Sequence, residues 1–287
     1  MFNHAAVRRT IHGVALLAGF AAGHFLLDGG RSAPPWFGPS PRGEHARAYE
    51  LDPSHGLAGE LDTATRKRRF VVLVLPLIEA ENAAILADRR TVLALAQRLD
   101  GGRLEPVERA RLERIKRDYG VAVDDVALLL GRIDAVPPSL ALAQAAVESG
   151  WGRSRFVREG NALFGERAWS TDLGLVPAAR AADATFAVRA FDDLAGSVRA
   201  YMRNLNRHSA YVEFRAARQA LRDADRPLDG ARLAATLAPY SEDGQGYVRL
   251  VRAVLRANRF GALDLGATAL LFDPAAARTE RMVQGPS

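Results

Sequence analysis

The 287-residue sequence contains no cysteine. Disulfides, a cysteine nucleophile, thiolate metal sites and lipid attachment through a lipoprotein cysteine are therefore excluded. Lysine is almost absent, with only Lys67 and Lys116, so the net charge of +6 rests on arginine. No basic run is dense enough to mark a nucleic-acid surface, and no nucleic-acid partner is expected. The six histidines fall at 4, 12, 24, 45, 55 and 208, without ligand spacing in the folded body, so neither a metal site nor a cofactor is expected. With 48% hydrophobic and 25% charged residues, the balance is that of a globular chain able to bury a sizeable core.

Residues 1–28 read as a targeting segment. Arg8 and Arg9 precede an uncharged stretch from Ile11 to Leu27, the pattern of a cleaved signal peptide or an uncleaved signal-anchor. The two arginines would place the remainder outside the membrane, in the periplasm or on the outer face of the inner membrane. Membrane contact is expected through this segment alone. Residues 29–60 are rich in proline and glycine and read as a linker. Residues 61–120 read as a helical extension. Phe70, Leu73, Val74, Leu77 and Ile78 recur at helical steps, Gly101-Gly102 breaks the run, and a second amphipathic helix spans about 106–119.

Residues 121–262 read as the catalytic body and 263–287 as a loose tail. Asp124 or Asp125 caps one helix, and Ser139 is the expected N-cap of the next. Thr185–Phe191 suggests a short strand. Helices are expected over 192–206, 211–223, 228–237 and 246–258.

The chemistry concentrates in Ser139–Phe156. The helix after Pro138 is small and apolar, so it should be buried, and Gly150 should end it. Glu148 falls in its last turn. The negative end of the helix dipole and an apolar surrounding both disfavour an ionised carboxylate there. A raised pKa is what a general acid needs near neutral pH. A pairing with Arg153 or Arg155 would act the other way. Trp151 can present a ring face to a sugar. Asn161 can fix a turn or bind a sugar amide. For Tyr201, Tyr211, Tyr240 and Tyr247, core packing is the default.

The run "AQAAVESGWGRSRF" followed by "GNALFG" resembles the peptidoglycan glucosaminidase family, and its Bax-like branch in particular. Weaker blocks at 69–86, 188–215 and 237–258 agree, so the resemblance covers about 69–260. It implies a mainly helical, lysozyme-like lobe with a small irregular or β segment, preceded by the helical extension. It also implies cleavage of the β-1,4 bond after N-acetylglucosamine in peptidoglycan glycan strands. Glu148 matches the family's catalytic glutamate. Trp151, Asn161, Phe164, Tyr240 and Tyr247 match positions around its groove. Many relatives carry a second acidic residue on a β-hairpin after the "LFG" motif. No glutamate stands there in this chain, and Asp172 and Asp183 are the candidates. Glu166, directly after Gly165, matches nothing in that pattern. Muramidase or lytic transglycosylase chemistry, and a non-catalytic wall-binding role, remain alternatives.

Overall fold

A computed structural model describes residues 61–100, 104–168, 174–176 and 187–266, with backbone alone at 99 and 100. The targeting segment, the linker up to residue 60, Asp172, Asp183 and the tail beyond 266 lie outside those residues.

Helix α1, Thr63–Asp100, runs 38 residues through an internal Pro76 and is about 57 Å long. The Asp62 carboxylate starts it by accepting from the Ala64 and Thr65 amides, both at 3.0 Å. By length and composition α1 could cross a membrane. However, Phe70, Val74, Ile78, Ile85 and Val92 are buried on one face, and that face belongs to the common core with helices later in the chain. α1 is thus a structural wall of the fold. Helix α2 is Pro106–Tyr119, opened by a Glu105/Glu108 capping box and closed by Gly120 in the left-handed region. Helix α3 is Val126–Arg132, and the Asp125 carboxylate caps it by accepting from the Leu128 amide at 2.8 Å.

Helix α4, Pro138–Ser149, is the buried centre of the molecule. Its first eight residues after Pro138, through Ala146, are all buried, because alanine and leucine let neighbours approach from every side. Ser139 is not its N-cap. Pro137 holds that position, and a side chain from the far end of the chain does the capping. Asp264 accepts from the Ser139 hydroxyl at 2.6 Å, the Ser139 amide at 3.1 Å and the Gly230 amide at 2.8 Å. The folded body therefore extends past 262, through the final 3-10 turns of Phe260–Leu265.

Helix α5 is Arg155–Gly160. Strands β1 (Arg167–Ala168), β2 (Gly174–Leu175) and β3 (Ala187–Arg189) form an antiparallel sheet in the order β1-β3-β2, with Arg167 opposite Val188 and Leu175 also opposite Val188. Within the expected strand over 185–191, Ala187–Arg189 form β3, which ends before Ala190; 185 and 186 lie outside the described residues. Helix α6, Leu194–Arg207, is capped by Asp193, and α7, Val212–Asp223, follows a 3-10 turn at Ser209–Tyr211. Where one helix is expected over 228–237, the chain makes α8, Gly230–Leu233, and then 3-10 turns at Ala234–Thr236 and Ala238–Tyr240. Helix α9 is Gln245–Ala257.

One hydrophobic core runs from Phe70 to Leu263. It is anchored by polar groups that take up loop backbone before α4. Asn82 of α1 donates to the Val136 carbonyl at 2.7 Å and accepts from its amide at 2.9 Å. Arg218 of α7, fully buried, donates to the Asp134 and Ala135 carbonyls and to Asn206 of α6 at 2.6 Å. Such satisfied buried groups fix where the next helix starts. The result is a mainly helical, lysozyme-like fold with a small sheet beside the end of α4.

Candidate active site

Gln144 and Glu148 are one helical turn apart, so they share a face of α4. The helix stops immediately after Glu148. Gly150 adopts φ +58° and its amide closes back on Ala146 and Val147. Trp151 also takes a left-handed φ, +59°, and its amide bonds the Ala146 carbonyl at 3.0 Å. The Ser149 hydroxyl secures the turn, donating to Ala145 at 2.6 Å and accepting from the Gly152 amide at 3.0 Å. This wrap holds Glu148 at a helix end that would otherwise fray.

Glu148 is half-buried, so it is neither sealed nor on a convex surface. Burial pushes its carboxyl up to about 8, and a hydrogen bond with the Tyr247 hydroxyl pulls the other way. The helix C-terminus adds to the upward push. No cation among the described residues offsets it: Arg155 instead pairs with Glu159 at 2.9 Å and donates to the Val176 carbonyl at 2.8 Å. At neutral pH the group is mostly protonated, as a general acid must be.

Four tyrosines from four elements gather at this carboxyl. Burial keeps Tyr201, Tyr211, Tyr240 and Tyr247 in their neutral forms, and the Glu148 charge pushes each further the same way. Tyr240 stacks on Tyr247 with centroids 5.2 Å apart, and Tyr211 lies 6.2 Å from Tyr240. Phe164 stacks on Tyr201 at 3.9 Å, and the Phe164 carbonyl accepts from Tyr240 at 3.3 Å. Behind Glu148 the hydroxyls are linked through Gln144: Tyr201 donates to Oε1 at 2.6 Å, and Nε2 donates to the Tyr247 oxygen at 2.8 Å.

The residues singled out by sequence divide accordingly. Tyr240 and Tyr247 stand with Glu148, and Phe164 supports them from below. Asn161 spends its amide on the Phe191 and Asp192 carbonyls at 3.0 and 3.2 Å while holding a left-handed φ, so it fixes the turn. Trp151 turns toward α1, packing on Phe70 and Phe260 at 5.6 and 6.2 Å with the Lys67 ammonium 4.8 Å from its ring centre. Asp172 and Asp183 lie outside the described residues.

Two groups to which the sequence assigns no role also stand at the site. Gly165, at φ +62°, brings the "LFG" turn against the acid; a Cβ there would lie 3.8 Å from Glu148 Oε2. Glu166, next in the chain, is pushed by burial up to about 7, opposed by Arg189. Its Oε2 is 3.7 Å from Arg189, and its Oε1 is buried with no hydrogen-bond partner among the described residues. Its charge reaches Tyr211, which also feels Glu148. Its position directly after the motif glycine is visible in the sequence, but its burial and its pairing with Arg189 are not.

A half-buried carboxyl with a raised pKa at the end of a buried helix, ringed by aromatic hydroxyls, is the candidate site of the fold. Residues 125–259 match the glucosaminidase family, described as mannosyl-glycoprotein endo-beta-N-acetylglucosaminidase. Protein bax of Escherichia coli (strain K12) is 34% identical over 203 residues, which cover 68% of this chain and 70% of that protein. The chain belongs to the glucosaminidase family, in a Bax-like branch, and that membership implies a glycoside hydrolase. No solved structure matches it at a significant level.

Proposed function

We propose that this protein hydrolyses the β-1,4 bond after N-acetylglucosamine in peptidoglycan, with Glu148 as general acid. The observation that supports this best is the half-buried Glu148 carboxyl, pushed up to about 8 without a cationic partner among the described residues and lying inside the stretch that matches the family. In the proposed reaction the Glu148 O–H bond breaks as its proton passes to the glycosidic oxygen. The C1–O bond breaks with its electron pair leaving on that oxygen. Water then adds to C1 and passes its proton to the assisting carboxylate or, where the acetamido oxygen assists, to the Glu148 carboxylate; in the first case Glu148 regains its proton from solvent. Tyr247, hydrogen-bonded to Glu148, stabilises the carboxylate as its negative charge develops, and that stabilisation counts most in the transition state.

The group that assists the water is open to three carboxyls, Asp172, Asp183 and Glu166, and to the substrate's own 2-acetamido oxygen. Single Asp172→Asn, Asp183→Asn and Glu166→Gln variants separate these. Loss of hydrolysis in one of them, restored by azide in its alanine counterpart, assigns the carboxylate; full activity in all three assigns the acetamido group. A location in the cell envelope fits this substrate, with residues 1–28 as export signal or anchor.

The direct test is Glu148→Gln, which keeps the shape but has no proton to give. Muralytic activity on purified sacculi should fall at least about a thousandfold, while binding to sacculi and the circular dichroism spectrum persist. Activity within tenfold of wild type in the folded variant refutes the assignment, and a wild-type protein that binds sacculi without cutting them favours a wall-binding role.

A further inference from the structure

Gln144 is completely buried, and neither its burial nor its partners are accounted for by proton donation alone. Its amide offers one acceptor end and one donor end. Tyr201, kept neutral by burial, has one proton and gives it to Oε1 at 2.6 Å. The hydrogen bond given for the Tyr201 hydroxyl is to Gln144, whereas Tyr247 also has Glu148 to receive its proton, so both buried hydroxyl protons are satisfied when the acceptor end of the amide faces Tyr201. Nε2 is then turned to Tyr247 and donates to its oxygen at 2.8 Å. With its oxygen accepting from Gln144, Tyr247 meets Glu148 as a donor. The opposite amide orientation would draw the Tyr247 proton to Gln144 and leave its oxygen as an acceptor for the acid's own proton.

We propose that Gln144, set by Tyr201, is a positioning residue that fixes the direction of the Tyr247–Glu148 hydrogen bond, so that the proton on Glu148 faces the substrate and not the tyrosine. The proposal rests on the acid role of Glu148. Gln144 touches no reacting atom and acts through Tyr247. Without it, protonated Glu148 can donate to the Tyr247 oxygen, which stabilises the acid form and misdirects the proton.

The groups facing Glu148 are Tyr247 of α9, Tyr201 of α6, and Tyr211 and Tyr240 of the 3-10 turns, with Glu166 beyond Tyr211. From α1, Lys67 reaches Trp151, and Asp264 lies at the opposite end of α4. The tyrosines are neutral across the working range, so a change in the Glu148 titration reports on hydrogen-bond direction.

The experiment follows the Glu148 carboxyl by NMR in full-length protein carrying 13C at glutamate side-chain carboxyls, with Glu148→Gln identifying the resonance. Tyr247→Phe should raise the titration midpoint by roughly one to two pH units, the worth of a hydrogen bond to a charged acceptor. Gln144→Met should raise it by roughly half to one unit. The double variant should match Tyr247→Phe alone, because among the described residues Tyr247 is the side chain hydrogen-bonded to both Gln144 and Glu148. Turnover on sacculi should fall roughly tenfold in Gln144→Met, with its alkaline limb moved up in step. Tyr201→Phe keeps its ring against Phe164 and should shift the midpoint in the same direction, so it tests the same bond even if Gln144→Met does not fold. A wild-type midpoint in Gln144→Met or in Tyr201→Phe overturns the proposal, and so does a Gln144→Met shift that persists in full on top of Tyr247→Phe. If wild-type protein cuts no sacculi, the enzymatic reading falls, while the titration still decides the direction of the bond.

Discussion

Glu148 should make the protein less stable as pH rises through neutrality, and Glu148→Gln should remove that loss. The carboxyl moves from an ordinary value of 4.5 when unfolded to about 8 in the fold. The folded state thus holds its proton more tightly than the unfolded one does. Its favourable contribution is fully present below about pH 4.5 and disappears as pH rises toward 8. At 1.36 kcal/mol per pH unit, the whole window is worth about 5 kcal/mol. This is a ceiling, because the carboxyl is half-buried and water screens part of the effect. Glutamine cannot titrate. Urea unfolding of wild type and variant at pH 5, 6.5 and 8 isolates the difference, since Glu166 titrates in both and cancels. Between pH 5 and pH 8 the variant should gain up to about 4 kcal/mol on wild type. A difference that stays flat across this range, or a wild type that gains on the variant, refutes the desolvated acid and with it the rationale for catalysis. The stability gained by losing the acid would be the usual trade at a functional site.

Two further outcomes follow from the supports of α4. Asp264→Ala removes the carboxylate that serves Ser139 and Gly230 across the fold. Burial raises the pKa of that carboxyl, which offsets part of its value, so the expected cost is roughly 1–3 kcal/mol in urea unfolding; a loss below about 0.5 kcal/mol would show that α4 does not depend on it. Gly165→Ala forces a side chain onto a left-handed φ of +62° and sets a methyl 3.8 Å from Glu148 Oε2. It should cost about 1–2 kcal/mol and move the alkaline limb of activity upward by adding desolvation; an unchanged limb contradicts the placement of the turn against the acid.

The parts of the fold legible in the sequence are those set by local rules. The buried α4, its termination at Gly150 and the misplacement of Glu148 all follow from composition and from the nearest glycine. Helices α6, α7 and α9 fall within two residues of the expected ranges because their apolar spacing is regular and Asp193 caps the first. What escaped depends on contacts between distant residues. Ser139 reads as a cap because nothing local reveals Asp264, 125 residues away. Trp151 reads as a sugar platform, but two consecutive left-handed residues swing it toward Phe70 and Lys67. The tyrosines read as core, and they are core. Their convergence on one carboxyl arises from four separate elements, and no spacing in the sequence encodes it. Asn161 could have fixed a turn or bound a sugar, and its two bonds to the chain at Phe191 and Asp192 favour the turn.

End-group analysis of digested peptidoglycan examines the chemistry itself. Sacculi treated with the full-length protein are reduced with borohydride and the sugar alcohols are identified. Reading Glu148 as the acid of a glucosaminidase predicts N-acetylglucosaminitol at the new ends, with Glu148→Gln producing none. Muramitol or anhydro-muramic ends in its place would contradict that bond specificity.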